Sequence, residues 1–244
     1  MKRNLVRKKV ILFLLLALFI AITTQKPCTA DSKSAGKKKS MDAKMKKVTG
    51  IDVSHFSGSV DWGKVKAAGY SFAFAKVTEG VDYKDPMFAV NWPAIKKAGL
   101  IRGIYHFYVT EDDPKEQANF FIGNVTLEKG DLAPVVDIEV IGKDSKPGFI
   151  SRFQTFLNIL EKHYDIKPII YTDCGFWNAN MNDKFGSYPI WLAEYDVESP
   201  KLPEGWTSYH LWQWEGDAKV PGVEKSADIS VLNSKMEIST LLLK

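Results

Sequence analysis

The sequence predicts an α/β fold, a single irregular (β/α) barrel with helices missing between its last strands. Short apolar runs of strand length alternate with amphipathic segments of helical period along most of the chain. About eight such strands can be counted, and parallel strands joined by helices close into a TIM-like barrel. They occupy about 195 residues, fewer than the roughly 250 of a complete barrel. The last three strands leave little room for helices between them.

The strands and helices follow one another in a regular order. The predicted strands have the sequences TGIDVS, SFAFAKV, IRGIYHFY, LAPVVDIEV, KPIIYT, YPIWLAEY, HLWQW and ADISVL. Helices are expected near Trp62 to Ala68, from about Pro86 to Ala98, from about Pro114 to Ile122, and within Pro147 to Tyr164. Pro93 falls inside the second helix and should end or kink it, because proline lacks an N–H.

Residues 1–30 have the organisation of a secretory signal peptide. A cationic stretch from Lys2 to Lys9 precedes an apolar run from Val10 to Ile22 and a polar end at Ala30. The apolar run is shorter than the roughly 18 to 20 residues of a membrane-spanning helix, so a permanent anchor is the less favoured alternative. A lipoprotein attached through Cys28 is also disfavoured. We expect a secreted or periplasmic protein with no stable membrane insertion after cleavage.

The remaining chain divides into a linker, residues 31–47, and one folded domain, residues 48–244. The linker is rich in lysine and serine and nearly free of large apolar residues, which predicts disorder. Residues 1–47 carry thirteen Lys and Arg against two Asp, whereas residues 48–244 carry twenty against twenty-seven acids. The folded part therefore has a net charge of about −7, which argues against nucleic acid as a partner. We expect a monomer.

Two carboxylates lie two residues apart at the end of the strand LAPVVDIEV. Alternation along a strand places Asp137 and Glu139 on one face. When two acids lie so close together beside apolar side chains, the pKa of one of them is raised. General-acid cleavage of a glycosidic bond requires such an acid, which still holds its proton near neutral pH. By itself such a pair is common by chance and often marks a solvated strand end or a cation site.

The position of this pair favours a catalytic interpretation. Barrel enzymes place their active sites at the C-terminal ends of the strands, and Asp137 follows a strand that is apolar enough to be buried. Asp52 and Asp228 accompany two other predicted strands, although each could instead be a turn residue or a helix cap. The three strands together predict an acidic cleft.

Aromatic residues gather near the same strands and are candidates for stacking on sugar rings. The candidates are Tyr105, Phe107, Tyr171, Trp191, Tyr195 and Trp214. For at least half of the aromatic residues in these strands, ordinary core packing is the preferred alternative. The chain has no His-Glu-x-x-His motif and no cysteine pair for zinc, so the sequence offers no metal-binding motif. His55 and His106 are interpreted as structural.

The motifs as a set resemble the glycoside hydrolase family 25 lysozymes, the Chalaropsis type. They are GIDVSHFSGSVDW, FAFAKVTEG, GIYHFY, PVVDIE, IIYT, WLAEY, LWQW and VPGVEKSADISVLN, in the order that the family has them. The resemblance implies an N-acetylmuramidase that hydrolyses the β-1,4 bond between N-acetylmuramic acid and N-acetylglucosamine in peptidoglycan. It also implies that Glu139 is the general acid, Asp137 its stabilising partner, and Asp52 and Asp228 further pocket acids, and it implies no cofactor and no metal. Glu194 and Trp214 depart from the common pattern.

The sequence leaves the stereochemistry and two rival functions open. A retaining route, covalent or assisted by the substrate's acetamido group, and an inverting route are both compatible with the motif. A noncatalytic glycan-binding barrel would keep the aromatic groove but would lose the acids. A chitinase would show a longer D-x-x-D-x-D-x-E run, whereas only Asp137-Ile138-Glu139 is present.

Overall fold

The computed structural model describes residues 47–142 and 148–244. The predicted signal peptide and almost all of the predicted linker lie outside these residues. Within the two described ranges, no helix combines the length and the apolar character needed to cross a membrane.

Eight strands close into a barrel, which confirms the predicted fold class. In chain order the strands are β1 (Thr49–Val53), β2 (Phe72–Glu79), β3 (Tyr83–Lys84), β4 (Ile101–Phe107), β5 (Val135–Asp137), β6 (Ile169–Asp173), β7 (Ile190–Ala193), β8 (Leu211–Ala218) and β9 (Ala227–Leu232). Each barrel strand pairs with the next in the circular order β1, β2, β4, β5, β6, β7, β8, β9, and β9 returns to β1. The short β3, which the sequence did not predict, extends β2 as an antiparallel arm.

Within the two described ranges, five α-helices accompany the strands. They are α1 (Trp62–Ala67), α2 (Phe88–Lys97), α3 (Pro114–Ile122), α4 (Phe149–Tyr164) and α5 (Cys174–Asn180). The first four agree with the predicted helices within a few residues, and α5 was not predicted. Asp113 begins α3 by accepting hydrogen bonds from two backbone N–H groups, and Pro114 occupies the first turn, where its missing N–H costs nothing.

Pro93 does not end α2. The helix continues to Lys97, four residues beyond the proline, so of the two expected effects, an end or a kink, the end is wrong. The expected cost of an interior proline is offset by tertiary packing, because Ile95 on the same helix is fully buried in the core.

The last strands have the predicted shortage of helices and an orientation that the sequence did not indicate. No α-helix lies between β7 and β8 or between β8 and β9, two connections that the structure describes in full. Strand β9 runs antiparallel to both of its neighbours, β8 and β1, whereas the other seven barrel strands are mutually parallel. A short β8–β9 connection permits this because antiparallel strands need no crossover helix.

The strands bury their two faces in two different apolar clusters. Residues facing the helices, such as Val136 and Ile138, belong to the larger cluster between barrel and helices. Residues facing inward, such as Phe74 and Val135, fill the barrel interior. Gly103 is required there, because a Cβ at this position would lie 2.3 Å from the ring of Phe74. The interior is therefore a packed core that supports the end of the barrel above it.

Candidate active site

Two of the predicted acids meet where the antiparallel strand β9 joins the barrel. Asp52 lies near the end of β1 and Asp228 near the start of β9, and the two residues are direct partners across the antiparallel ladder. Because β9 runs in the opposite direction, its beginning lies at the same end of the barrel as the ends of the parallel strands. Asp228 therefore lies near a strand end, as predicted, but it reaches the cleft because β9 runs antiparallel, which the sequence did not indicate.

Asp137 and Glu139 approach the same end of the barrel from β5. Asp137 is the last residue of the strand. The next residue still pairs with β6, because the N–H of Ile138 donates to the carbonyl of Tyr171 at 3.0 Å. Ile138 is fully buried in the cluster that faces the helices. Alternation therefore turns Asp137 and Glu139 to the opposite, inner side.

Burial raises the pKa of all four carboxyls, and the charges of neighbouring carboxylates raise it further. Loss of hydration is the main cause in each case. It raises the pKa of Glu139 to about 7, with a further contribution from the charge of Asp173. The pKa values of Asp137 and Asp52 are both raised well above their usual range. After burial, the largest cause is the charge of Glu139 for Asp137 and the charge of Asp228 for Asp52. These cross-influences indicate one connected acidic cluster.

One oxygen of Asp137 has no hydrogen-bond partner. The residue is only 8% exposed, and its Oδ1 atom is buried without a donor among the residues that the structure describes. A buried polar atom without a partner costs roughly 1–3 kcal/mol, so such atoms are rare in folded proteins and are often found where a ligand binds. The unpartnered oxygen is therefore available to a donor group of a bound substrate.

Lys76, which the sequence analysis did not single out, supplies a positive charge beside these acids. It lies on β2, is buried, and donates to Glu79 at 2.8 Å. Its ammonium also lies 5.1 Å from the centre of the Phe107 ring. Its charge lowers the pKa of both Asp137 and Glu139, against the dominant effect of burial. A lysine within the otherwise apolar strand FAFAKV was the available sequence signal.

Gln213 is a second residue of the site that the sequence analysis missed. It lies on β8, is 1% exposed, and its Nε2 donates to Asp52 at 2.9 Å and to Asp228 at 3.4 Å. Its Oε1 accepts hydrogen bonds from the hydroxyls of Tyr171 and Tyr195. A glutamine in the middle of LWQW, a strand otherwise rich in aromatic residues, was the sequence signal for a buried polar role.

The aromatic candidates divide into three groups. Burial raises the pKa values of Tyr105, Tyr171 and Tyr195, and the charges of neighbouring carboxylates raise them further. Phe107 contributes its ring beneath Lys76, and Trp214 is 39% exposed on β8. Trp191, in contrast, is 2% exposed and stacks on Phe74 inside the barrel with ring centres 4.6 Å apart. Its ring is occupied by core packing, which was the alternative considered for these strands.

The two histidines that the sequence analysis interpreted as structural, His55 and His106, bond to residues other than the four acids. His106 is fully buried between Thr78 and Gln117, both within hydrogen-bonding distance, and burial lowers its pKa to about 3, so it is neutral. His55 bonds to the buried carboxylate of Asp85 at 2.8 Å through Nδ1. Among the described residues, no three His, Cys, Asp or Glu side chains are arranged to hold a metal ion.

The raised pKa of Glu139 predicts that stability falls as pH rises. The folded state holds a proton on Glu139 up to about pH 7, whereas an unfolded glutamate releases it at about 4.5. In this window the native state binds more protons, so the free energy of unfolding decreases with increasing pH. Urea unfolding at pH 5 and pH 8 is expected to show a loss to which Glu139 contributes roughly 1–3 kcal/mol. The loss should shrink by that amount in Glu139→Gln, and an unchanged loss would contradict the raised pKa.

A barrel with a carboxylate cluster at the C-terminal ends of its strands, including one acid protonated near neutral pH, has the arrangement of a glycoside hydrolase. Residues 51–223 match the sequence model of the protein family described as "Glycosyl hydrolases family 25". The chain belongs to this family.

Similar proteins agree with this assignment. Lysozyme M1 of Streptomyces globisporus is 34% identical over 199 residues, which are 76% of this chain and 68% of the relative. The N,O-diacetylmuramidase of Chalaropsis sp. is 28% identical, over 68% of this chain and 87% of its own. The crystal structure of the bacterial lysozyme from Streptomyces coelicolor superposes with a TM-score of 0.75 at 30% identity, covering 81% of this chain and 98% of that chain. The protein is a glycoside hydrolase of the lysozyme class, which confirms the predicted family.

Proposed function

We propose that the protein is an exported N-acetylmuramidase that hydrolyses the β-1,4 bond between N-acetylmuramic acid and N-acetylglucosamine in bacterial peptidoglycan. Its relatives carry the names lysozyme and N,O-diacetylmuramidase. The observation that carries the proposal is the pair Asp137 and Glu139, in which a carboxyl with a pKa of about 7 neighbours a buried carboxylate with an unpartnered oxygen. One group is suited to donate a proton and the other to receive a donor from the substrate.

Glu139 acts as the general acid in this proposal. Its pKa of about 7 keeps a large fraction protonated at neutral pH, and the proton goes to the glycosidic oxygen as the bond to the leaving sugar breaks. The acetamido oxygen of the substrate attacks the anomeric carbon and forms a cyclic, positively charged intermediate. Glu139, now ionised, then takes a proton from the water that opens this ring, which restores the acid.

Asp137 stabilises the intermediate. Its unpartnered oxygen accepts a hydrogen bond from the acetamido N–H, and its negative charge balances the positive charge that develops on the ring. Asp137 must be ionised while Glu139 is protonated. The two carboxyls repel each other when both are charged, so they share one proton, and Lys76 favours the ionised form of both. The donor of the bound substrate at the unpartnered oxygen is what places the charge on Asp137 and leaves the proton on Glu139.

Asp52 and Asp228 form the opposite wall of the cleft and complete the four acids assigned to catalysis. Sugar binding is assigned to Tyr105, Phe107, Tyr171, Tyr195 and Trp214. Trp191 supports the floor of this site through its contact with Tyr171, whose ring centre lies 4.9 Å away.

The proposed role of Glu139 predicts a basic limb in the pH profile of activity. As pH rises through about 7 the general acid loses its proton, so kcat/KM on peptidoglycan is expected to fall about tenfold per pH unit beyond that point. Initial rates of wall turbidity loss between pH 4 and pH 9 measure the limb. A rate that stays constant to pH 9 would exclude Glu139 as the titrating acid.

Export and domain organisation complete the proposal. Residues 1–30 direct export to the periplasm or the outside of the cell and are removed, residues 31–47 form a basic spacer, and residues 48–244 are the catalytic domain, which acts as a monomer. The cationic and apolar pattern of the first 22 residues supports this organisation. Mass spectrometry of the N-terminus of the exported protein tests it, and an intact residue 1 would contradict it.

Digestion of purified peptidoglycan tests the function directly. Residues 31–244 are incubated with the polymer, and the new reducing ends are identified by mass spectrometry after borohydride reduction. Reduced N-acetylmuramic acid at the new ends is the expected product, whereas reduced N-acetylglucosamine would assign the other glycosidic bond. Retained glycan binding without cleavage would favour the noncatalytic barrel.

A further inference from the structure

The hydrogen bonds of Gln213 use every donor and the acceptor of its side-chain amide. Both donors of the NH2 group point to carboxylates on neighbouring strands, Asp52 on β1 and Asp228 on β9. The carbonyl oxygen accepts from two phenols, Tyr171 on β6 and Tyr195 after β7. One side chain thus connects residues from four different parts of the barrel wall.

The opposite orientation of this amide is unfavourable. Turned by 180°, its oxygen would face the carboxylates of Asp52 and Asp228, which would then have no donor from residue 213. Tyr171 is 9% exposed, so its hydroxyl would also lose the acceptor that it now has. The carboxylates therefore fix the direction of the amide, and the amide fixes the direction of the phenolic protons.

We infer that Gln213 is a positioning residue of the active site, which sets the hydrogen-bond polarity of the wall formed by Asp52, Asp228, Tyr171 and Tyr195. Both acids are held as acceptors of the amide and both phenols as donors to it. The inference rests on the proposed function, since this wall belongs to the cleft where the glycan is to be cleaved. In this inference Gln213 acts on the site through these four neighbours.

Several charged and titratable groups surround Gln213, and the pKa values of the residues in this wall depend on all of them. Asp52 is influenced by Asp228 and Glu139, and Asp228 by Asp217, whose backbone N–H donates to it at 2.8 Å. Tyr105, Tyr171 and Tyr195 face the same carboxylates. Gln213 is the neutral donor among them, and its hydrogen bond lowers the pKa of Asp52 against the larger effects of burial and of Asp228.

The first test measures the acids directly and does not depend on activity. Gln213→Met removes both donors and keeps the volume of the side chain. Carbon-13 NMR titration of the aspartate carboxyls is expected to show a further upward shift in the pKa of Asp52 in this variant, because the ionised form loses its donor. An Asp52 titration identical to that of the wild type would overturn the inference.

The second test uses the pH dependence of activity. Gln213→Glu has the same shape, but when ionised it offers no donor and repels Asp52 and Asp228, so a loss of about 10- to 100-fold in kcat/KM is expected at pH 7. Near pH 5 the new carboxyl becomes protonated and again donates one hydrogen bond, so activity is expected to recover to within several-fold of the wild type. Gln154→Glu on α4, whose side chain bonds Asn158 and Tyr188, is the matched control and should keep the wild-type profile.

The outcomes separate the inference from the proposed function. A Gln213→Glu profile that is parallel to the wild type, low at every pH, would mean that Gln213 only fills space and would overturn the inference. If Gln213→Glu does not fold by circular dichroism, the titration of Gln213→Met decides. If the wild type cleaves no peptidoglycan at any pH, the proposed function fails and the same titration still decides whether Gln213 positions Asp52.

Discussion

Replacing Glu139 by glutamine is expected to reduce kcat on peptidoglycan by about 100- to 10,000-fold while the fold is kept. Glutamine has the size and shape of the protonated glutamate but cannot give a proton to the glycosidic oxygen. Burial and the charge of Asp173 hold the pKa of this carboxyl near 7. Glu139 forms no ion pair with any of the residues that the structure describes, so the substitution breaks none there. The release of reducing ends from purified peptidoglycan measures the loss.

A matched control distinguishes loss of the acid from loss of the fold. Glu198→Gln changes the same residue type at an exposed position after β7 and should keep full activity and stability. Glu139→Gln should bind insoluble peptidoglycan as tightly as the wild type and should be at least as stable at pH 7, because an unfavourable buried charge has been removed. Activity of Glu139→Gln within tenfold of the wild type would exclude Glu139 as the general acid.

Replacing Asp137 by asparagine is expected to reduce kcat by about 100- to 1,000-fold, the range found when one preorganised electrostatic contact to a transition state is removed. Asparagine retains an oxygen that can accept the acetamido N–H, but it carries no charge to balance the cyclic cation. The effect should therefore appear in kcat more than in KM. Steady-state rates on a soluble chain of alternating muramic acid and glucosamine units separate the two constants.

Asp165→Asn is the control for this substitution. Asp165 ends α4 in the left-handed conformation with φ of 53°, which asparagine also adopts readily, and it is exposed. Its rates should equal those of the wild type. If Asp137→Asn raised KM and left kcat unchanged, Asp137 would contribute to ground-state binding only, and the proposed charge stabilisation would be wrong.

The sequence predicted the parts of the site that depend on local periodicity. Strand alternation on β5 is a property of three or four adjacent residues, so it was sufficient to place Asp137 and Glu139 on one face, opposite the buried Ile138. The rule that barrel sites lie at strand ends then pointed to Asp52 and Asp228. The helix predicted from about Pro114 to Ile122 followed from an equally local signal, its helical period, and the structure shows an aspartate cap and a first-turn proline at its start.

The residues that were missed depend on which strands become neighbours. Lys76 and Gln213 each lie inside an apolar strand, where a polar residue is favourable only if partners arrive from other strands. Gln213 bonds Asp52, which is 161 positions away in the sequence. Trp191 illustrates the reverse case, because its ring is covered by Phe74 of β2, and no pattern within β7 indicates this contact.

The sequence by itself determined the class of the fold and the family, because strand and helix periods and ordered motifs are written in contiguous residues. It predicted the four acids from the strand ends and from the same motifs. The tertiary structure decided the antiparallel direction of β9, the burial that raises the pKa of Glu139 to about 7, and the bonding of Gln213 to Asp52 and Asp228. These features arise only when distant segments exclude water from one another and close the barrel, since hydration and Coulomb interactions depend on distances in space.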